Sequence, residues 1–199
     1  MVLALSSRTK LFTLAAVTVV SAVACDATPS KKAAPQAVDV AGGEIIRPRV
    51  TFPPASKVAT DVRDALPSEA RLALKRATMP VMVPSAAKKL RAIALVVEPE
   101  FYALSAKTDD NASISVQGTK ARVRYEDIPP IPGKTPLHDG IFGHVTQNEG
   151  IWTASWMENE VAYSVDFECA SPEEAACADA SRVIALAKEL AYVGRGGDQ

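Results

Sequence analysis

Residues 151–168 read IWTASWMENEVAYSVDFE and decide the fold of this chain, because apolar side chains recur at every second position on both sides of a central polar pair. Such a period of two is typical of β-strands that bury one face. The pair Asn159-Glu160 lies between the two halves, and asparagine tolerates the positive φ that a tight turn requires. The stretch therefore predicts an antiparallel hairpin.

Two registers are open to this hairpin. A three-residue loop places Trp156 opposite Ala162, whereas a two-residue loop at Asn159-Glu160 gathers the large apolar groups on one face. In the second register the facing pairs are Trp156 with Tyr163, Ala154 with Val165 and Trp152 with Phe167. Burial of one face sets strand register, and aromatic cross-strand pairs add to its stability. We therefore predict the two-residue loop.

The rest of the chain supplies the remaining strand candidates. Short apolar or alternating runs recur between clusters of turn-forming residues. They lie at 79–84, 92–97, 101–107, 112–117, 121–125 and 141–147. Prolines bracket the first run, which favours an edge strand or an extended segment, because proline cannot donate to a central ladder. Apolar and polar residues alternate clearly in 112–117 and 121–125, which indicates a sheet with one buried and one solvent-exposed face.

Helical spacing appears on both sides of these strands. Residues 55–66 have the pattern of one amphipathic helix, and Ser68 is placed to cap a second short helical turn that runs to Thr78. Near the C-terminus, Ser171-Pro172-Glu173-Glu174 has the features of a capping box with proline at the first helical position. The apolar stripe after it predicts a C-terminal helix that Gly194 ends.

These elements predict one α+β domain over residues 54–194. We expect an antiparallel sheet of about six or seven strands, with the C-terminal helix packed on one face and a short N-terminal helical region.

The first residues have the composition of an export signal. Arg8 and Lys10 precede an apolar run at 11–20 that is too short to cross a bilayer. Small residues and then Cys25 follow, as in the cleavage box of bacterial lipoproteins, so we expect a signal peptide over 1–24 and lipid on Cys25. An ordinary signal peptidase could use the same small residues and leave a soluble product. With the lipid, the protein is anchored to the cell envelope and faces the periplasm or the exterior.

Lipid on Cys25 also accounts for the odd number of cysteines, which is 3. Cys169 and Cys177 then remain in an oxidising compartment, where a disulfide is the expected state. That disulfide would tie the hairpin to the predicted C-terminal helix. The composition of 25–53 predicts a flexible tether from the lipidated cysteine, and residues 195–199 are expected to form a disordered tail.

The C-terminal quarter of the chain carries a resemblance. The tryptophan hairpin, Cys169 and the predicted helix after Ser171 resemble the ends of uncharacterised bacterial envelope lipoproteins. More loosely, they resemble the sheet-plus-helix domains of periplasmic carriers and sigma-regulator sensors. The resemblance rests on architecture and a few aromatic positions, so it implies no functional residue.

Charge and motif content exclude several function classes. The 22 Lys and Arg residues against 23 Asp and Glu residues give a net charge of −1 without a basic cluster, so we expect no nucleic-acid partner. The sequence has no Gly-x-Ser-x-Gly elbow, no Ser-x-x-Lys motif at the start of a predicted helix and no phosphate-binding glycine loop. A metal site from His138, Asp139 and His144 fits no standard ligand spacing. We therefore expect no metal and no other cofactor.

The longest proline-rich stretch, residues 126–139, supplies the candidate contact surface. Its prolines make it either a recognition segment over the sheet or a rigid connector. Ile128, Ile131 and Leu137 give it apolar anchors for a protein, peptide or lipid ligand. The sequence thus favours a lipid-anchored, non-enzymatic binding or structural module. The alternative is an envelope enzyme of unrecognised type that uses His138 or His144.

Overall fold

The computed structural model describes residues 43–171 and 173–194. The predicted signal peptide of 1–24, the lipidation of Cys25 and the predicted tail of 195–199 lie outside the described residues and stay predictions.

Strands dominate the described chain. They are β1 Glu44–Ile46, β2 Val81–Pro84, β3 Arg91–Val97, β4 Phe101–Lys107, β5 Ser113–Thr119, β6 Arg122–Arg124, β7 Thr135–Pro136, β8 Phe142–Asn148, β9 Ile151–Glu158, β10 Val161–Glu168 and β11 Leu190–Gly194. The α-helices are α1 Thr60–Asp64, α2 Ser68–Leu74 and α3 Ser181–Lys188.

Seven of these strands form one antiparallel sheet in the order β3-β4-β5-β10-β9-β8-β7. Two small two-stranded sheets accompany it, β1 with β6 and β11 with β2. The predicted fold class is confirmed: the protein is α+β, with a seven-stranded antiparallel sheet and a C-terminal helix packed against it.

The central hairpin has the predicted register. Asn159 and Glu160 form the two-residue loop, and both have positive φ, at 53° and 64°. The cross-strand pairs are Trp156 with Tyr163, Ala154 with Val165 and Trp152 with Phe167. The rings of Trp156 and Tyr163 stack with their centroids 5.6 Å apart. Burial of one face therefore selects this register although glutamate is a poor residue at positive φ.

The core lies on one side of the main sheet. There the Tyr163 hydroxyl donates to the carbonyl oxygen of Pro80 at 3.0 Å, and the Tyr102 hydroxyl donates to that of Met82 at 3.3 Å. These bonds join the sheet to β2, whose residues are all buried. On the opposite side small and polar side chains face one another across the strands, as Ser115 and Thr153 face Asp166.

The N-terminal helical region is more broken than the apolar pattern of 55–66 predicts. Only Ala55–Lys57 and α1 are helical there, and the first of these is a 3-10 turn. Between them Val58 forms a parallel bridge with Tyr192, and the N–H of Ala59 donates to the Tyr192 carbonyl oxygen. This pairing extends the backbone and interrupts the helix. The expected capping by Ser68 is also wrong, because Pro67 precedes α2 as its N-cap and makes no side-chain bond.

The predicted C-terminal helix is shorter than its signature indicates. Helix α3 begins at Ser181, and Leu190–Gly194 form β11 on β2 instead of further helical turns. The capping box forms in part, because the N–H of Ser171 donates to the Glu174 carboxylate at 3.1 Å.

The disulfide gives a physical reason for this shortening. Cys169 and Cys177 are bonded, with Cα atoms 6.1 Å apart, so the pairing predicted from the sequence is confirmed. A helix that began at Ser171 would carry Cys177 about 9 Å along its axis, away from the end of β10. The chain instead turns back through a 3-10 turn at Ala175–Cys177.

Strand β6 is the last element that differs from the sequence prediction. It pairs with β1 and not with the main sheet, so Val123 and Tyr125 are exposed where the alternation of 121–125 predicts a covered face. Its partner β1 lies within the stretch 25–53 that we expected to be a tether. Regular structure among the described residues therefore begins before residue 54.

Candidate functional site

The proline-rich stretch of 126–139, called the proline segment below, is anchored at its C-terminal end. Leu137 is 1% exposed and belongs to the core, so it packs inside the domain and is not presented to a partner. Strand β7 pairs with β8, and the N–H of Lys134 donates to the carbonyl oxygen of Gly143 at 2.9 Å. A Cβ at Gly133 would lie 2.5 Å from the backbone nitrogen of Gly143, so side chains are excluded from this approach.

The N-terminal half of the proline segment is exposed to solvent. Ile128 is 61% exposed and Ile131 is 74% exposed. The sequence interpretation grouped both with Leu137 as apolar anchors, and the structure leaves these two available for contact. Burying a side chain of this size from water is worth about 1.5–3 kcal/mol, so a ligand that covers them gains this contribution.

A groove of about 940 Å³ lies beside these isoleucines. We call it the proline groove. Its apolar lining residues are Ile46, Val123, Tyr125, Ile128, Pro129, Pro130, Ile131 and Met157, and its polar lining residues are Arg122, Arg124, His144, Glu158, Asn159 and Glu160. Its volume lies in the range of small-ligand sites, and its lining combines apolar surface with a few polar groups.

Both arginines of the proline groove are paired with glutamates. Arg122 contacts Glu160 at 3.0 Å, and Arg124 contacts Glu44 at 2.7 Å. Both pairs are exposed, so each adds little to stability. Their pairing leaves the apolar side chains as the main recognition feature of the groove.

A buried polar cluster lies behind the proline segment. His138 and Glu158 form an ion pair in which Nδ1 and Oε2 are 2.8 Å apart, with side chains only 6% and 10% exposed. The other ring nitrogen of His138, Nε2, is 3.2 Å from the carbonyl oxygen of Leu190. The ring also lies edge-on to Tyr192, with centroids 5.4 Å apart.

Hydrogen bonding in this cluster favours the charged form of both partners. The Glu158 carboxylate accepts from the Trp156 indole at 3.1 Å and from the Tyr192 hydroxyl at 2.6 Å, and that hydroxyl in turn accepts from Asn159 at 2.7 Å. Glu158 is therefore surrounded by donors and is ionised. Each ring nitrogen of His138 faces an acceptor oxygen, an arrangement that favours the doubly protonated imidazolium form.

The electrostatics agree with this assignment. Burial alone lowers the pKa of His138, but the hydrogen bond and negative charge of Glu158 outweigh it, and the pKa is raised above its usual value. Burial likewise raises the pKa of Glu158, but bonds from His138 and Tyr192 outweigh it and the pKa is lowered. Both shifts favour the charged form of the pair, which joins β9 to β11 and to the end of the proline segment.

Metal-type ligands come together at the same place. His138, Asp139 and Glu158 each bring a ligand atom within 4.8 Å of the other two. However, His138 Nδ1 carries the proton that it donates to Glu158, and Lys57 holds Asp139 at 2.7 Å between Nζ and Oδ2. A metal ion would have to displace that proton and compete with the lysine. The chemistry of this donor set therefore favours the ion pairs.

The two histidines differ in their accessibility. His138 has no ring nitrogen free to act as a general base, because both are hydrogen-bonded. His144, which the sequence interpretation grouped with His138 and Asp139, is outside their cluster. It is exposed and lines the proline groove, and its Nε2 lies 3.0 Å from the carbonyl oxygen of Ile131.

Sequence reasoning missed Glu158 as the partner of His138, although a signal was present. Trp152, Ala154 and Trp156 mark the covered face of β9, and Glu158 continues that same period of two. A carboxylate on a covered face requires a partner, because burying an unpaired charge is costly. The alternation therefore indicates that Glu158 is buried and needs a partner, without indicating that the partner is His138.

Comparison with protein-family models, with curated proteins and with solved structures finds no match to the chain. The description of the site therefore depends on its geometry alone. None of the helices formed by 43–171 and 173–194 has the length and continuous apolarity that a membrane crossing needs.

Proposed function

We propose that this protein is a lipid-anchored envelope protein that acts as a non-enzymatic binding module, and that the proline groove is its contact surface. The observation that carries the proposal is the exposure of Ile128 and Ile131 on a segment whose far end is fixed in the core. The lipid anchor is inferred from the signal-like N-terminus and Cys25.

Pre-organisation supports the groove as a binding surface. Four prolines restrict the backbone of the proline segment, at positions 129, 130, 132 and 136. The bond between His144 and the Ile131 carbonyl oxygen further restricts the segment at the groove. A segment that is already ordered loses less conformational entropy when a ligand docks, which leaves more of the contact energy as affinity.

The competing view is that the segment only connects β6 to β8 and covers the edge of the sheet. Leu137 and β7 do cover that edge. Ile128 and Ile131 do not, because they remain mostly exposed. A connector has no need of large apolar side chains in solvent, so these two residues favour a binding role for the N-terminal half of the segment.

The test replaces residues 127–132 with a Gly-Ser sequence of equal length and keeps residues 133–139, which hold the core contacts. We expect a melting temperature close to that of the wild type, together with loss of a species that co-purifies from detergent-solubilised membranes. The matched control is Leu72→Ser, because Leu72 is equally exposed, at 62%, but lies on α2. That variant should retain the species.

Two outcomes would contradict the proposal. One is co-purification that is the same with and without residues 127–132. The other is a large fall in melting temperature, which would assign the replaced residues to the core. The anchor has a separate test: mass spectrometry of the native N-terminus should find acyl chains on Cys25, and an unmodified cysteine would refute the anchor.

A further inference from the structure

Large exposed apolar side chains gather at one end of the domain. Phe142 is 61% exposed, as is Ile128, and Ile131 is more exposed still. Phe142 and His144 share a face of β8 because they are two residues apart, and the His144 ring contacts the backbone of Ile131. Ile128, Ile131 and His144 thus line the proline groove, and the apolar side chain of Phe142 lies beside His144 on the same strand face. We call Ile128, Ile131 and Phe142 the apolar rim.

The chain enters the domain beside this rim. Gly43 and Glu44 line a depression together with Tyr125 and Ile128. Gly43 packs so closely against Val123 that an added Cβ would lie 2.4 Å from it. The first described residue is thus fixed next to the proline segment.

The position of Cys25 then limits the distance to a membrane. Cys25 precedes Gly43 by 18 residues (43 − 25). A fully extended chain of this length spans at most about 60 Å, and a flexible coil spans about 25 Å. An acylated Cys25 would therefore keep the apolar rim close to the bilayer that holds the acyl chains and give it a high local concentration of lipid.

We propose that Ile128, Ile131 and Phe142 dock onto the surface of the same bilayer and form a second, reversible membrane contact. This inference rests on the lipid anchor and the contact surface proposed above, and it names the occupant of that surface as lipid. The acyl chains of Cys25 already hold the domain at the bilayer, so exposed apolar side chains can insert there as an intramolecular second contact.

The charge pattern favours lipid over a charged protein partner. Arg122 and Arg124 are the cationic side chains of the groove lining, and each is paired with a glutamate. Arginines that are already in ion pairs contribute little to the binding of a charged protein. Insertion into a bilayer requires only apolar surface. The contact should therefore depend weakly on salt.

Vesicle flotation tests the inference. The mature chain without its acylated residue, 26–199, contains the whole compact unit Val40–Gln199 and carries no lipid of its own. We expect it to float with vesicles of phosphatidylethanolamine and phosphatidylglycerol at a ratio of 3:1, to a similar extent in about 0.1 M and 1 M NaCl. Replacing Ile128 and Ile131 with serine should lower the partition coefficient at least about tenfold. Leu72→Ser, the matched control, should change it by less than about twofold.

Three results would overturn the lipid contact. The first is that the wild-type 26–199 chain does not float with the vesicles. The second is that Leu72→Ser lowers the partition coefficient as much as the replacement of Ile128 and Ile131, and the third is that 1 M NaCl abolishes binding. Circular dichroism of each variant checks that it is folded. If flotation fails while residues 127–132 are still needed for a co-purifying protein, the binding module stands and lipid is not its ligand. An unmodified Cys25 would instead refute the anchor.

Discussion

Glu158→Gln tests the role of the buried ion pair. The substitution keeps the size of the side chain but removes the charge that faces His138, and it places an amide N–H among groups that donate to the carboxylate. Both side chains are almost fully buried. Removing one partner of a buried ion pair costs about 3–5 kcal/mol, because the remaining charge is left uncompensated. For a domain of this size the melting temperature should fall by about 6–20 °C.

Calorimetry and urea titration measure this cost. Glu160→Gln is the matched control, since Glu160 is a nearby acid in an ion pair whose side chain is 48% exposed. It should change the free energy of unfolding by less than about 0.5 kcal/mol. A double-mutant cycle with His138→Asn isolates the coupling between the two residues, which should exceed about 1.5 kcal/mol.

The pH dependence of this cost is a second part of the same prediction. The pKa of His138 is raised from 6.5, so its contribution is fully present below pH 6.5 and is lost as the pH rises through the folded value. The pKa of Glu158 is lowered from 4.5, so its contribution is present above pH 4.5 and is lost as the pH falls through the folded value. The penalty of Glu158→Gln should therefore be largest between pH 4.5 and 6.5 and smaller at about pH 9. An equal penalty at both pH values, or a penalty no larger than that of Glu160→Gln, would refute the charged pair.

Three further predictions concern the core, the disulfide and metals. Replacing Cys169 and Cys177 with serine should lower the free energy of unfolding by about 2–3 kcal/mol in a urea titration, and an unchanged midpoint would contradict a stabilising role. Gly143→Ala places a Cβ 2.3 Å from the Ser155 carbonyl oxygen, so it should lower the free energy of unfolding by about 1–3 kcal/mol, measured by thermal melting. A wild-type melting temperature would mean that β8 and β9 can separate without cost. Added Zn²⁺ should move the melting temperature by less than about 1 °C, and a rise of several degrees would show that metal displaces the His138 proton.

The parts of the fold that follow from local pattern could be predicted. The alternation in 151–168 determines both strands and their register, because a shift by one residue would expose Trp152 and Trp156. The disulfide followed from the number of cysteines and the expected compartment. In the hairpin the constraint is the burial of one face, and for the disulfide it is that Cys169 and Cys177 are the two cysteines that remain.

The parts that depend on distant partners could not be predicted in the same way. Leu190–Gly194 continues a helical pattern, and only pairing with β2, more than a hundred positions earlier, makes it a strand. Likewise Val58 leaves the helical pattern of 55–66 because it pairs with Tyr192. The ion pair joins residues 20 positions apart, so Glu158 is not among the acids that neighbour His138 in the sequence.

Photo-cross-linking in the intact envelope tests the central claim, that the exposed part of the proline segment is a contact surface. A photoreactive amino acid replaces Ile131 in one variant and Leu72 in the other, since both side chains are exposed but lie on different elements. We predict a discrete adduct, to lipid or to one protein, from position 131 and none from position 72. No adduct from position 131, or the same adducts from both positions, would contradict the account.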